Sequence, residues 1–239
     1  MATKIGFITD VHGNASALRA VLAELAREDD LTCIYGGGDL IGIGPDTNEV
    51  LEMLFGLPAF ASVAGNHEDC ILRLLAGDPP GSPPGMEDHH RWVARELDRR
   101  FIPHVRALPR VLAPRHGDVE LFVAHYHVDP EQQLLPIDPE PTLEKLETHY
   151  AAQPAAAILT GHHHDGHFFA RPGRAYVNPG ALGCGLEPVA RYAVVTLDAE
   201  SIDVERRVVP YDREPFLRSY HERNVPNRAF ILEHVHGQT

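Results

Sequence analysis

The chain is short of three things. Positive charge is scarce: 21 Lys and Arg stand against 34 Asp and Glu, a formal net charge of −13 over 239 residues. That imbalance argues against a protein that grips long nucleic acid or an anionic membrane by bulk electrostatics. Cysteine is scarce too. Cys33, Cys70 and Cys184 are odd in number, widely spaced and free of any CxxC pair, which argues against a disulfide framework or a zinc knuckle. All three read as small buried hydrophobes. Long apolar runs are missing as well, and none approaches membrane-spanning length. The N-terminus has no charged-then-apolar signal pattern and goes straight into a strand, which predicts a cytoplasmic protein. There is no internal repeat at a short period and no long low-complexity tract.

What is present is a large apolar fraction, 44%, enough for a substantial core. The 16 histidines are more than a chain of this size usually carries, and several cluster. The densest cluster follows an apolar run, Ala155 to Leu159, which breaks at Gly161 and presents His162, His163 and His164. The run reads as a buried strand with a sharp turn at its end. In an extended segment His162 and His164 leave on the same face, an arrangement suited to transition-metal ligation.

Four other strand ends carry comparable groups. Lys4 to Thr9 reads as a strand that ends at Asp10-Val11-His12-Gly13-Asn14, with Asn14 as cap of a helix whose inner face is Leu18, Val21, Leu22 and Leu25. Leu31 to Tyr35 runs into Gly36-Gly37-Gly38-Asp39, where the glycines suggest close backbone approach. After the loop Ile41 to Pro45, Asp46 and Glu49 resemble a capping pair for a second helix. Phe60 to Ala64 ends in Gly65-Asn66-His67-Glu68, with a helix stopping at Gly77. Glu120 to Ala124 ends in His125-Tyr126-His127. A Pro/Gly-rich loop, Asp78 to Gly85, and a helical stretch, Met86 to Phe101, form a cap or insertion around 70–114, with Arg95 and Arg99 on a solvated or phosphate-facing side. From His167 the pattern changes to consecutive strands, and a helical tail follows over 212–239. A single domain over 1–239 is expected.

In α/β sheets the functional crevice lies beyond the carboxyl ends of the strands. Five ends with Asp10 and His12, Asp39, Asn66 and His67, His125, and His162 and His164 therefore point to one metal site. Eight such groups are too many for one ion. Mixed carboxylate, amide and imidazole donors suit Mn, Fe, Zn, Co or Ni more than Ca or Mg.

Taken in order, Asp10-x-His12, Gly38-Asp39, Gly65-Asn66-His67-Glu68, His125 and Gly161-His162-x-His164 resemble the five motifs of the calcineurin-like metallophosphoesterases, over about Ile5 to Val209. The resemblance implies an α/β fold, a four-layer α/β/β/α sandwich of two mixed β-sheets flanked by helices. It also implies two divalent transition-metal ions, manganese first and Fe, Ni, Co or Zn as alternatives. One ion takes Asp10, His12, Asp39 and His164. The other takes Asp39, Asn66, His125 and His162, with Asp39 bridging. Catalytic roles fall to Asp39 and to His67, the latter near the leaving group. Two cations about 3.5–4 Å apart clamp the phosphoryl oxygens and yield hydroxide near neutral pH for in-line attack on phosphorus.

Three positions depart from the family. Tyr126 follows His125 where the family usually has Gly, so either the pocket narrows or His127 competes as the ligand. His163 stands where the family often has Thr and is expected in a second-shell or surface role. The run Gly38 to Gly44 lacks the phosphate-gripping arginine of phosphoprotein phosphatases and bis-nucleoside tetraphosphatases. Asn178-Pro179-Gly180 resembles a family turn that shapes the site. The pattern is closest to the small bacterial and archaeal phosphodiesterases. It predicts hydrolysis of small phosphodiesters or cyclic nucleotides by a monomer or small homo-oligomer that binds neither long nucleic acid nor membrane. A phosphomonoesterase or phosphoprotein phosphatase is the alternative, and a non-catalytic metal-binding scaffold is the alternative of another class.

Overall fold

Alternation along the strands sorts the apolar residues into three layers. Ile5 and Phe7 face one way from the first strand and Ile8 the other; Leu121 and Val123 oppose Phe122 and Ala124; Ala157 and Leu159 oppose Ile158. A strand buried on both faces reads as a nearly continuous apolar run, as these do. The computed structural model describes residues 3–83, 85–198 and 201–238. Pro84 of the expected loop and Thr239 of the expected tail lie outside them.

Two mixed sheets result. The first joins β1 (Thr3–Ile8), β2 (Leu31–Gly36), β3 (Phe60–Ser62), β10 (Val189–Leu197) and β11 (Ile202–Pro210) in the order β11-β10-β1-β2-β3. The second joins β4 (Val111–Leu112), β6 (Val119–Ala124), β7 (Ala157–Leu159), β9 (Arg174–Asn178) and β8 (His167–Arg171) in that order, with β5 (Arg115–His116) paired to β6. Parallel pairing runs β1/β2/β3 in one sheet and β6/β7/β9 in the other, while the outer strands are antiparallel.

Ile5, Phe7, Val123, Leu159, Val177 and Val195 pack between the sheets. On the outer face of the first sheet lie α1 (Ala15–Leu25), α2 (Thr47–Phe55), α3 (Asn66–Ala76), α4 (Glu87–Glu96), α5 (Ile102–Arg106), α7 (Glu214–Glu222) and α8 (Arg228–His234). On the outer face of the second lies α6 (Leu143–His149) with Leu146 and Tyr150. The expected four-layer α/β/β/α sandwich is therefore observed. Among the described residues no helix is long and apolar enough to cross a membrane.

Several local expectations need correction. The stretch Met86 to Phe101 is not one helix. The chain leaves α4 at Leu97 in an extended conformation, and Asp98 caps a short 3-10 turn, Arg99–Phe101, by accepting from the Arg100 amide. Asp46 does precede α2, but neither it nor Glu49 caps; Glu49 pairs with Arg19 instead. Gly65 is the N-cap of α3, and the Glu68 side chain closes back on the Gly65 amide at 2.7 Å. The two-residue strands β4 and β5 carry no readable pattern and were not expected. Asn14 caps α1, and Gly77 ends α3 in the left-handed conformation, both as the sequence indicates.

Candidate metal centre

All five predicted strand ends fall on one rim, because each follows the carboxyl end of a parallel strand: β1, β2 and β3 from one sheet, β6 and β7 from the other. The turns that carry the side chains are strained. Asp10, His12, Asp39 and His162 have φ between 48° and 65°, although none is glycine. Such φ values are uncommon outside Gly and cluster at functional sites. Backbone bonds stitch the turns together within each sheet: the Asp10 amide donates to the Gly38 carbonyl and His12 to Asp39 in the first, and Gly161 to His125 in the second.

Glu68 supplies much of the restraint. Its buried carboxylate accepts from the amides of Asp39, Leu40, Ile41 and Gly65 at 2.7–3.1 Å. Burial and the neighbouring Asp39 carboxylate push its carboxyl up to about 7 despite these donors. Gly161 is needed for close approach, since a Cβ there would overlap Thr9 Oγ1 and Asp10 Oδ2. Asn178, at the end of β9, donates to the carbonyls of Gly161 and His163 at 2.9 and 3.0 Å. It shapes the turn, as the sequence suggested.

The donor atoms converge in two neighbouring groups. In one, His12 Nε2 and His164 Nε2 are 3.1 Å apart, and Asp10 Oδ1 lies 3.7 and 3.4 Å from them. In the other, His125 Nε2 is 3.1 Å from His162 Nδ1, 3.0 Å from Asn66 Oδ1 and 3.3 Å from Asp39 Oδ2. Asp39 Oδ2 also lies 3.8 Å from His12 Nε2 and 4.0 Å from His67 Nε2, so this one carboxylate stands between the groups. His162 and His164 do share the rim, but not one face of a strand. The left-handed turn at His162 sends the two rings to different groups.

The electrostatics fit cations. Two ring nitrogens 3.1 Å apart can share at most one proton, and two such pairs sit beside two buried carboxylates. Burial would raise the Asp10 carboxyl, yet hydrogen bonds from His12 and His164 hold it well below its ordinary range. Asp39 is held low against the same burial cost, chiefly by His125 and His67. Burial would lower His125, but the Asp39 carboxylate holds it up at about 10. Its Nδ1 lies 2.8 Å from the Gly37 carbonyl and donates to it, which turns Nε2 toward Asp39. The proton that Asp39 keeps on Nε2 is the one a cation would replace. Burial and His125 bring His162 down to about 4, leaving its nitrogen free to donate a lone pair.

Four further placements matter. His127 does not compete with His125: its Nδ1 takes the Tyr150 hydroxyl at 2.7 Å, away from both groups. Tyr126 is buried with its ring 5.3 Å from that of His162, and its hydroxyl accepts from the Asp138 amide. It backs the site as a wall. His163 is not simply a surface residue; its ring neighbours His167, and it lines the site cavity with Asp39, Asn66, His67, Ile137, His162, His164 and Asp165. Cys184 is more than a small hydrophobe, because its sulfur lies within 4.8 Å of ligand atoms of His12 and His164. No sequence signal distinguished it. The cap arginines do not reach the cavity, whose lining has neither Arg nor Lys among the described residues; Arg100 pairs with Glu52 and Asp98. Helix α4 presents His90 instead, which sequence reasoning also missed.

Comparison with known proteins gives the family and the fold. A crystal structure of a metallophosphoesterase from Sphaerobacter thermophilus is 26% identical, with a TM-score of 0.70 over 96% of this chain and 97% of that one. A hypothetical protein of Pyrococcus horikoshii OT3 shares the fold at a TM-score of 0.80 and 19% identity, over 99% of this chain and 100% of that one. A symmetrical bis(5'-nucleosyl)-tetraphosphatase of Pectobacterium carotovorum is 29% identical over 128 residues, 53% of this chain but only 44% of that protein. The family model for the calcineurin-like phosphoesterase superfamily domain matches residues 3–200. The chain thus belongs to the calcineurin-like phosphoesterase superfamily and is a hydrolase of phosphoric esters.

Proposed function

We propose that the protein is a phosphodiesterase that hydrolyses small phosphodiesters at a centre for two transition-metal cations. In this reading Asp10, His12, Asp39 and His164 hold one cation, and Asp39, Asn66, His125 and His162 hold the other. The observation that carries it is the position of Asp39 Oδ2, between two groups of convergent nitrogen and oxygen donors. When bound, the cations supply positive charge to the phosphoryl oxygens and bring water within reach of deprotonation near neutral pH. Mixed oxygen and imidazole donors support manganese first, with Fe, Ni, Co or Zn as alternatives.

The chain's own residues do the rest. Thr9 Oγ1 and the His162 amide donate to the Asp10 carboxylate at 2.7 and 2.9 Å and fix its direction. The Asp39 carboxylate is oriented by the His67 amide at 2.9 Å. His67 Nε2 faces Asp39 and the cavity, where it can donate to a phosphoryl oxygen or pass a proton to the departing one. General acid help of that kind contributes about 10²–10⁴-fold. A monoester dianion asks for more positive charge than a diester, and beyond the two cations the cavity wall offers no Arg or Lys among its described residues. That favours a singly charged diester. Three free cysteines, Cys33, Cys70 and Cys184, support a reducing, cytoplasmic setting.

The test is a hydrolysis assay on metal-stripped protein, with paired generic mono- and diesters and single metals added back. Diester cleavage restored by manganese or another transition cation is expected. Monoester preference overturns the diesterase reading, and a folded protein inactive with every metal favours a binding scaffold. His67→Ala is expected to keep both cations and to lose about 10²–10⁴-fold in kcat.

A further inference from the structure

His67 is held from behind by a residue that belongs to none of the five motifs. Its Nδ1 lies 2.9 Å from His90 Nε2, on the cap helix α4. The rings meet edge to face, with centroids 4.9 Å apart. The other nitrogen of His90, Nδ1, lies 2.5 Å from the Ser82 hydroxyl in the loop that leads into α4. His90 is 1% exposed. No other side chain or backbone group among the described residues hydrogen-bonds the His67 ring. The nearby loop cannot supply one from Gly42: this residue has φ +83°, and a Cβ on it would collide with His67 Nδ1. The fold leaves that nitrogen open on the loop side, and the cap fills the vacancy.

We propose that His90 is a positioning residue for His67, fixing with Ser82 which ring nitrogen of His67 carries the proton. The argument is one of counting hydrogens. A neutral imidazole has one N–H and one acceptor nitrogen. Burial disfavours a charge on His90, and the more distant Asp39 only partly offsets that. In the proposed direction the Ser82 hydroxyl donates to His90 Nδ1, which leaves the His90 proton on Nε2. That N–H donates to His67 Nδ1, which leaves the His67 proton on Nε2. Nε2 is the nitrogen that faces the Asp39 carboxylate at 4.0 Å and the cavity. An N–H is favoured there over a lone pair, since both the carboxylate and a phosphoester oxygen are acceptors. Reversing the chain would point a lone pair at two anions. The three side chains therefore form a directed series ending at the substrate, and none of them changes its charge while His67 donates a hydrogen bond to a phosphoryl oxygen.

This role rests on the reading of His67 as the group at the phosphoester, and the experiment separates the two. Histidine-selective 15N NMR on the folded protein reports which ring nitrogen of His67 carries hydrogen. Nε2–H is expected in the wild type, and a mixture of tautomers in His90→Phe. Kinetics on a generic diester, with metal content checked, should show two cations retained, KM nearly unchanged and kcat lower by about 10–100-fold, the usual cost of losing an orienting partner. His90→Gln, whose amide N–H can reach Nδ1, should recover most of that loss, and Ser82→Ala should show a smaller loss in kcat alone. An unaltered His67 tautomer in His90→Phe overturns the proposal, as does a KM that rises with kcat unchanged. If His90→Phe does not fold, Ser82→Ala and His90→Gln are read by the same NMR signal: a shift toward the other tautomer in Ser82→Ala with none in His90→Gln supports the proposal, and no shift in Ser82→Ala overturns it. Full activity in His67→Ala sinks the reading of His67 but leaves the NMR result to decide the role of His90.

Discussion

His125 and His127 are two residues apart on the same turn, and they end in opposite surroundings. His125 points between the sheets, where Asp39, Asn66 and His162 converge on its Nε2. His127 turns toward α6, where its ring lies 4.2 Å from Tyr126, 4.9 Å from His149 and 5.4 Å from Tyr150. Both are buried. Burial and the neighbouring His149 draw His127 down to about 3, whereas Asp39 holds His125 up at about 10. His163 and His167 pair near His127, and burial brings His167 to about 4. The lesson is that histidine density marks no site. One cluster is aromatic packing with a polar tip; the other is aimed by carboxylates and by backbone held at positive φ.

The largest test of that contrast is Asp39→Ala. It removes the carboxylate shared by both donor groups, so elemental analysis should find both cations gone and the diester assay should find no turnover. Two tightly held cations in that variant would sink the ligand assignment. Glu68→Ala probes the restraint instead of the ligands. It leaves four buried amides unpaired at about 1–3 kcal/mol each before water relieves them, so a net loss of about 3–5 kcal/mol is expected in denaturant titration. A loss under 1 kcal/mol would mean that the strained turns are held elsewhere. His127→Ala should cost about 1–3 kcal/mol, from a lost buried hydrogen bond and a small cavity, with both cations retained. Loss of one cation equivalent would erase the distinction between the clusters.

The smallest effect comes from a carboxylate that has burial without an imidazole. Asp46 faces the Ser219 hydroxyl at 3.4 Å, and burial, with Glu49, lifts its carboxyl to about 6. The unfolded chain has the ordinary value, about 3.9. The folded state therefore binds the proton more tightly, so stability falls as pH rises from about 4 to 6 and is level above that. Asp46→Asn should remove this slope and make the protein more stable at pH 7–8 by about 1 kcal/mol. An unchanged slope between pH 4 and 6 would show that Asp46 is not its source.

The five turns with candidate ligands were legible because each directly follows an apolar strand, whereas the two-sheet sandwich was legible only through the resemblance of the ordered motifs to a known family. What escaped the sequence depends on distant parts of the chain. His90 and Ser82 reach His67 only because α4 packs beside α3, and nothing in Asp88-His89-His90-Arg91 marks one ring as directed at the site. Cys184 arrives from the loop after β9. The divergence of His162 and His164 follows from a backbone conformation that non-glycine residues seldom adopt, so a period of two misplaced them. The end of α4 at Leu97 reflects a local cap by Asp98 that competes with a good apolar pattern.

The position of β1 also has a consequence for how the molecule is made. This strand lies between β2 and β10, with Thr3 opposite Leu197 and Phe7 opposite Ala193. Asp10 and His12 thus leave the ribosome well before the strand that completes the flank beneath them. Such distant pairings close slowly. A growing chain can offer a cation scattered side chains long before it can offer a finished cage. If these residues hold the two proposed cations, tight uptake waits for β10, and a ribosome-bound chain halted before Val189 should bind the ion no better than a peptide does.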